Sequence, residues 1–212
     1  MPRFQSPETT RHFLLNQPWP HPELMFDHHG YGPLFYTLLA IRSQPALGPG
    51  TPNPEALPLL QGLTLEQAFS GHPRINRDMG NACLAGIWLY HHGLHESHTL
   101  SQSIAGSTGS FWHGIMHRRE PDAWNSKYWF DRVGEHPVFP ELNLAARRCA
   151  EQVEHPDAAA FLLHQPRWNP HRFVDLCEAA RQGQAMAEPL CLAVQTCEWQ
   201  LLFDWCYRKA VQ

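Results

Sequence analysis

The sequence lacks the paired cysteines of a structural zinc framework. Its six cysteines, Cys83, Cys149, Cys177, Cys191, Cys197 and Cys206, never fall in a C-x-x-C spacing. They stand among Leu, Ala and Trp in segments that read as helix, so buried, reduced thiols are expected. No stretch approaches the ~18 uninterrupted apolar residues of a membrane span. The opening "MPRFQSPETTRHFLL" has no basic stretch leading into a long apolar one. No membrane partner is expected, and the chain reads as soluble and cytoplasmic. Positive charge is not in excess either. Sixteen Lys and Arg against 20 Asp and Glu leave a formal charge of −4, without the basic footprint of a nucleic-acid partner. No internal repeat, low-complexity tract or nucleotide cofactor is expected.

What the chain does have is apolar mass and histidine. Hydrophobic residues make up 43% of 212 residues, enough for one good-sized domain with a proper core. Histidine is the outlier: 15 against 16 Lys and Arg together, so acidification from pH 7 to 5 is expected to reverse the sign of the net charge.

Proline divides the chain. Twelve of 19 prolines lie in residues 1–75, which excludes long helices there, because proline removes a donor and clashes with the preceding turn. Residues 1–61 read as a proline-rich arm of loops and short helices. Its Trp19, Phe26, Tyr31, Phe35 and Tyr36 predict packing on the body rather than a flexible linker. Periodicity leaves "GPLFYTLLAIRS" open between helix and strand. Residues 62–212 predict an all-α body, one domain overall with the arm. "LTLEQAF" is a short helix with Thr64 at its start, and residues 77–92 form a longer one. "PDAWNSKYWFDRVG" has Pro121 at its first helical position and Gly134 as a stop. "PELNLAARRCAEQV" and "NPHRFVDLCEAARQGQ" follow. The last helix, about 24 residues, carries Leu190, Val194, Cys197, Leu201 and Trp205 at spacings of three or four.

Six of the 15 histidines fall between residues 91 and 117, which makes this the place to look for chemistry. In "HHGLHESH", His91, His95 and His98 share a face within about 60° if one helix continues through Gly93. If it breaks there, His98 belongs to a new helix starting near Glu96. In "GSFWHGIMHRREPD", His113, His117 and Glu120 repeat the i, i+4, i+7 spacing. Phe111 and Ile115 point nearly the opposite way, and Trp112 and Met116 flank the remaining edge. Such a helix is buried all round, so its polar groups need partners.

Three readings follow. In the first, His98, His113 and His117, with Glu120 or His95, bind one divalent metal, zinc, iron or manganese, and an open position activates water. In the second there is no metal. Ser110 caps the helix after "GSTGS", its free N–H groups and Arg118 and Arg119 hold an anion, and His113 or His98 acts as acid or base. In the third, the histidines bond buried carbonyls and carboxylates, while Arg118, Arg119, Glu120 and Asp122 form an ion-pair network. Trp88, Trp112, Trp124 and Trp129 read as core. "FDHHGYG" at 26–32 is a further candidate edge.

"ESHTLSQ" followed by "GSFWHGIMHRREPDAWNSKYWFDRVGEHPVF" resembles a family of uncharacterised bacterial proteins. That family is marked by a Ser-His pair, W-H-x-I-M-H-R-R-E-P-D, N-x-K-Y-W-F and Gly-x-His-Pro. The likeness covers roughly residues 96–139, and more loosely "EWQLLFDWCYRKA". It attaches no function. It implies that Ser97, His98, His113, His117, Arg118, Arg119, Glu120, Asp122 and Asn125 belong to one constellation, and it leaves out His91 and His95.

The expectation is a metal-assisted hydrolase acting on a small polar or anionic substrate. His98, His113 and His117 are the ligands, with Glu120 as ligand or general base and His98 also catalytic. Ser97, Ser110, Arg118, Arg119, Asp122 and Asn125 contact substrate. The alternative is a non-catalytic small-molecule or anion-binding protein using the same pocket without metal. The cysteine reading has its own test: all six thiols titrate in denaturant without reductant, and recovering fewer from unoxidised protein contradicts it.

Overall fold

The computed structural model describes residues 28–152, 157–183 and 187–212. Among them are eleven α-helices, two short 3-10 turns and no strand. The first 27 residues of the expected arm, Trp19 and Phe26 included, lie outside the described residues. Among the described residues no helix is long and apolar enough to cross a membrane.

Helix α1 (Gly32–Ala40) settles the ambiguous "GPLFYTLLAIRS" stretch as helix, with Pro33 in its first turn. Phe35, Leu38 and Leu39 are buried. Tyr31 and Phe35 meet Phe203 and Tyr207 edge to face, which ties this part of the arm to the C-terminal helix. The chain then runs without regular structure, through four prolines, to two one-turn helices, α2 (Leu57–Leu60) and α3 (Leu65–Ala68). Thr64 and Gln67 close a capping box at the start of α3.

The body is built from α4 (Arg77–Tyr90), α5 (Leu94–Ser103), α6 (Ser107–Arg119), α7 (Ala123–Val133), α8 (Phe139–Glu151), α9 (Phe161–His164), α10 (Pro170–Arg181) and α11 (Ala187–Val211). The helix carrying His91 does break. His92 takes φ 65°, and Gly93 lies so close to Trp88 that an added Cβ would sit 2.4 Å from the indole. His98 therefore rides a separate helix, as the break at Gly93 required. His91 instead bonds the Leu38 carbonyl oxygen at 3.0 Å, and His95 is exposed.

Two helix starts differ from the sequence reading. Gly106, at φ 88°, turns the chain into α6, so Ser110 sits in the first turn rather than at the cap. Its hydroxyl donates to the Gly106 carbonyl oxygen at 3.1 Å. Pro121 precedes the cap of α7 rather than opening the helix; Asp122 is the cap and accepts from the Asn125 N–H.

Helix α6 is the centre of the body. Every residue from Thr108 to Arg119 is buried, between α4, α5 and α7. Glycines allow this approach. A Cβ on Gly109 would meet the Ile104 carbonyl oxygen at 2.2 Å, and one on Gly86 would meet Trp112 at 2.8 Å. The Ser126 hydroxyl of α7 donates to the Gly114 carbonyl at 2.8 Å. On another side of α6 the Arg118 guanidinium donates to both carboxylate oxygens of Glu198 and to the Gln195 amide oxygen, all on α11. The Phe173 ring lies 4.7 Å from its central carbon. Burial pushes the Glu198 carboxyl up and Arg118 pulls against that shift. All six cysteines are buried and unbridged.

Removing one partner of this pair strands a charge in the core. Glu198→Ala is expected to cost about 3–5 kcal/mol of stability in a denaturant titration. A loss below about 1 kcal/mol, the range of an exposed pair, contradicts the role given to it.

Candidate metal centre

Three imidazoles converge where α5 crosses α6. His98 comes from α5, and His113 and His117 lie one turn apart on α6. One ring nitrogen from each can be chosen so that all three lie within 4.8 Å of one another. The His113 ring stacks on His117 with centroids 4.8 Å apart, and His98 stands edge-on to both at 4.6 and 5.3 Å. The indole of Trp129, from α7, stacks on His113 at 3.9 Å with the planes 12° apart. That contact fixes the ring orientation of His113. Trp129 reads as core in the sequence, and nothing in its spacing marks it as a support for an imidazole.

The hydrogen bonding is uneven. His113 is 2% exposed, yet neither Nδ1 nor Nε2 has a partner. A buried polar group left unpaired costs about 1–3 kcal/mol, so two on one ring demand an explanation. Burial, with His117 and His98 alongside, pushes the His113 pKa down to about 3. The ring is therefore neutral at pH 7, and a neutral imidazole has one lone pair to give. His117 is different. Its Nδ1 meets the Glu120 carboxylate at 3.0 Å, which places the proton on Nδ1 and leaves the Nε2 lone pair open. Burial lowers its pKa while Glu120 works against that shift. A carboxylate on the far nitrogen of a ligand histidine is the usual outer support of a metal site. His98 is only partly buried and forms the accessible side of the cluster.

The other sequence-derived residues divide. Glu120 joins the cluster by accepting from His117 Nδ1, and the Asn125 side-chain nitrogen lies 3.5 Å from the same Nδ1, near the cluster without bonding to it. Asp122 is nearby but caps α7. Ser97 is buried beside His98 in sequence, and its hydroxyl has no partner. Ser110 bonds only to its own helix turn. Arg118 and Arg119 do not join the imidazoles. Successive residues of a helix point about 100° apart, so a contiguous H-R-R-E motif cannot serve one pocket. Arg118 reaches Glu198. Arg119 donates to the carbonyl oxygens of Gly48, Pro49 and Leu89 and to His92 Nδ1. Of "FDHHGYG", Phe26 and Asp27 lie outside the described residues, and His28 lines a separate cavity.

The donor set suits a metal. Tetrahedral coordination at about 2.0–2.1 Å needs ligand nitrogens about 3.3 Å apart. With His113 held by Trp129, closing the difference falls to His98, which is only partly buried, and to His117. Three neutral imidazoles match zinc, and iron or manganese with added oxygen ligands. Comparison with protein-family models, with curated proteins and with solved structures finds no match to the chain.

Two histidines away from the cluster set a pH dependence. His136 accepts the Val138 N–H at Nδ1 and meets Thr108 through Nε2. Burial pushes His136 down to about 4, and burial with the Arg119 charge does the same to His92. Unfolded, each takes up a proton near pH 6.5; folded, each resists until about pH 4. Their contribution is thus fully present above pH 6.5 and is lost as pH falls toward 4. The denaturation midpoint is expected to drop between pH 7 and 4.5, and less so in His136→Gln. A midpoint that rises on acidification contradicts this.

Proposed function

We propose that His98, His113 and His117 hold one divalent metal ion and that the chain is a metal-assisted hydrolase. The observation that carries this reading is the buried His113 ring, whose two nitrogens both lack partners inside a triad of converging imidazoles. One bond to a metal gives its lone pair a use that no protein group supplies.

Three protein ligands leave a coordination position open, where a bound metal lowers the pKa of water toward neutrality. The chain's own groups do the rest. Trp129 and α6 hold His113 rigid. Glu120 orients His117 through Nδ1, and about half of its side chain is exposed. It stands within reach of solvent as a proton acceptor during attack by water. His98 and Asn125 line the accessible side, where a small polar substrate enters. Arg118 and Arg119 point to other partners, so an anionic substrate is held by the metal rather than by either of them. The metal-free binding alternative loses its anion anchors for the same reason.

Elemental analysis of protein purified without chelator is expected to find about one equivalent of zinc, iron or manganese per chain. His113→Ala loses the metal and also stability, because ligand binding is linked to folding. His98→Ala, at a half-buried position, loses the metal while circular dichroism stays helical. Metal content unchanged in His98→Ala, or wild-type protein that takes up no added zinc, contradicts the proposal.

A further inference from the structure

Arg119 sits on the face of α6 opposite the imidazoles, beside a cavity of about 180 Å³. It is 5% exposed. Arg118 next to it has Glu198, but the acceptors of Arg119 are three carbonyl oxygens and one imidazole nitrogen, all neutral. No carboxylate among the described residues pairs with it. A buried cation without a counter-charge is among the costliest arrangements in a fold.

The hydrogen bonds around it run in one direction. Arg119 Nη2 donates to His92 Nδ1 at 2.5 Å. The neutral His92 ring must then carry its proton on Nε2, which faces the Ser43 hydroxyl at 3.0 Å. With its oxygen accepting from His92, Ser43 is left with its own O–H proton to give. All three residues line the cavity. The chain of donors runs from a buried positive charge to a hydroxyl on the cavity wall, and each link polarises the next. His92 is held for this role at φ 65°. Gly50 gives it room, since a Cβ there would lie 2.5 Å from the ring. Bulky residues kept in the left-handed region concentrate at functional sites. Leu39, Leu89, Ile115 and Trp199 supply an apolar part of the wall, with Gln195 and Gln200 beside them.

We propose that this cavity is a second ligand site, separate from the imidazole triad, for a small monocarboxylate with an apolar body. The carboxylate answers the uncompensated guanidinium and accepts from Ser43, and the body fills the apolar wall. The size sets the class. A 150 Å³ apolar cavity holds benzene, so about 180 Å³ takes one ring and a carboxylate. Inorganic oxyanions leave the apolar wall empty.

The test is calorimetric titration of the full, metal-free chain in chelator, so that no carboxylate binds through a metal. Three probes separate charge from shape: benzoate, the uncharged benzyl alcohol, and acetate without the ring. Benzoate is expected to saturate one site per chain, at least about tenfold tighter than either of the others, the factor set by a charge-assisted hydrogen bond. Ser43→Ala weakens benzoate by about tenfold. Thr196→Trp, which fills the cavity from α11, abolishes binding while circular dichroism stays helical. Equal affinity for benzoate and benzyl alcohol overturns the proposal, as does absence of saturable benzoate binding to the wild type. Unchanged benzoate binding in a folded Thr196→Trp variant overturns it too.

Discussion

A helix buried on every side and carrying polar residues in three directions is the constraint on which this structure turns. Helix α6 has no solvent face to which Arg118, Arg119, His113 and His117 can be turned. Each direction must be answered from inside. Toward α11 the answer is a carboxylate, Glu198, fully buried with Arg118. Toward the arm the answer is a set of carbonyls from the proline-bearing stretch 48–49 and from the end of α4, which fixes the arm's course over the body. Toward α5 and α7 the protein supplies stacking for His113 but no hydrogen bond. There both ring nitrogens of His113 stay without a partner among the described residues, and that is the observation behind the proposed metal.

The same constraint explains what the sequence revealed and what it hid. The fold class is legible in the sequence, because a cap such as Thr64 and a stop such as Gly134 act locally. The pairing of His113 with His117 was legible for the same reason: i, i+4 spacing fixes direction on a helix. The convergence of His98 followed from a short connection between α5 and α6. Adjacency in sequence suggests that the two arginines serve one place, but Arg118 reaches Glu198 and Arg119 reaches the 48–49 carbonyls. Helix geometry sends them apart, and the motif is a list of separate contacts. Glu198 is not legible as the partner of Arg118, because 80 residues separate the two. A carboxylate inside an otherwise apolar stretch of α11 was the signal available. Ser43 was equally hidden, since its meeting with His92 spans 49 residues and depends on where the arm crosses the body.

Placing both candidate sites on one rigid helix has a physical consequence. His113 and His117 face one way and Ile115 and Arg119 the other, a half-turn apart along the same backbone. The helix cannot shift toward one site without moving the other, because Gly86, Gly109 and Gly114 already bring its neighbours to contact distance. The rigidity that positions three imidazoles is supplied by close packing rather than by hydrogen bonds among them. That is how a site with so few internal polar partners keeps its shape.

X-ray absorption at the metal edge of the loaded protein addresses the central claim directly. The expected result is a first shell of nitrogen and oxygen at about 2.0–2.1 Å with the multiple-scattering pattern of three imidazoles. A first shell containing sulfur at about 2.3 Å, or one without imidazole scattering, would contradict it.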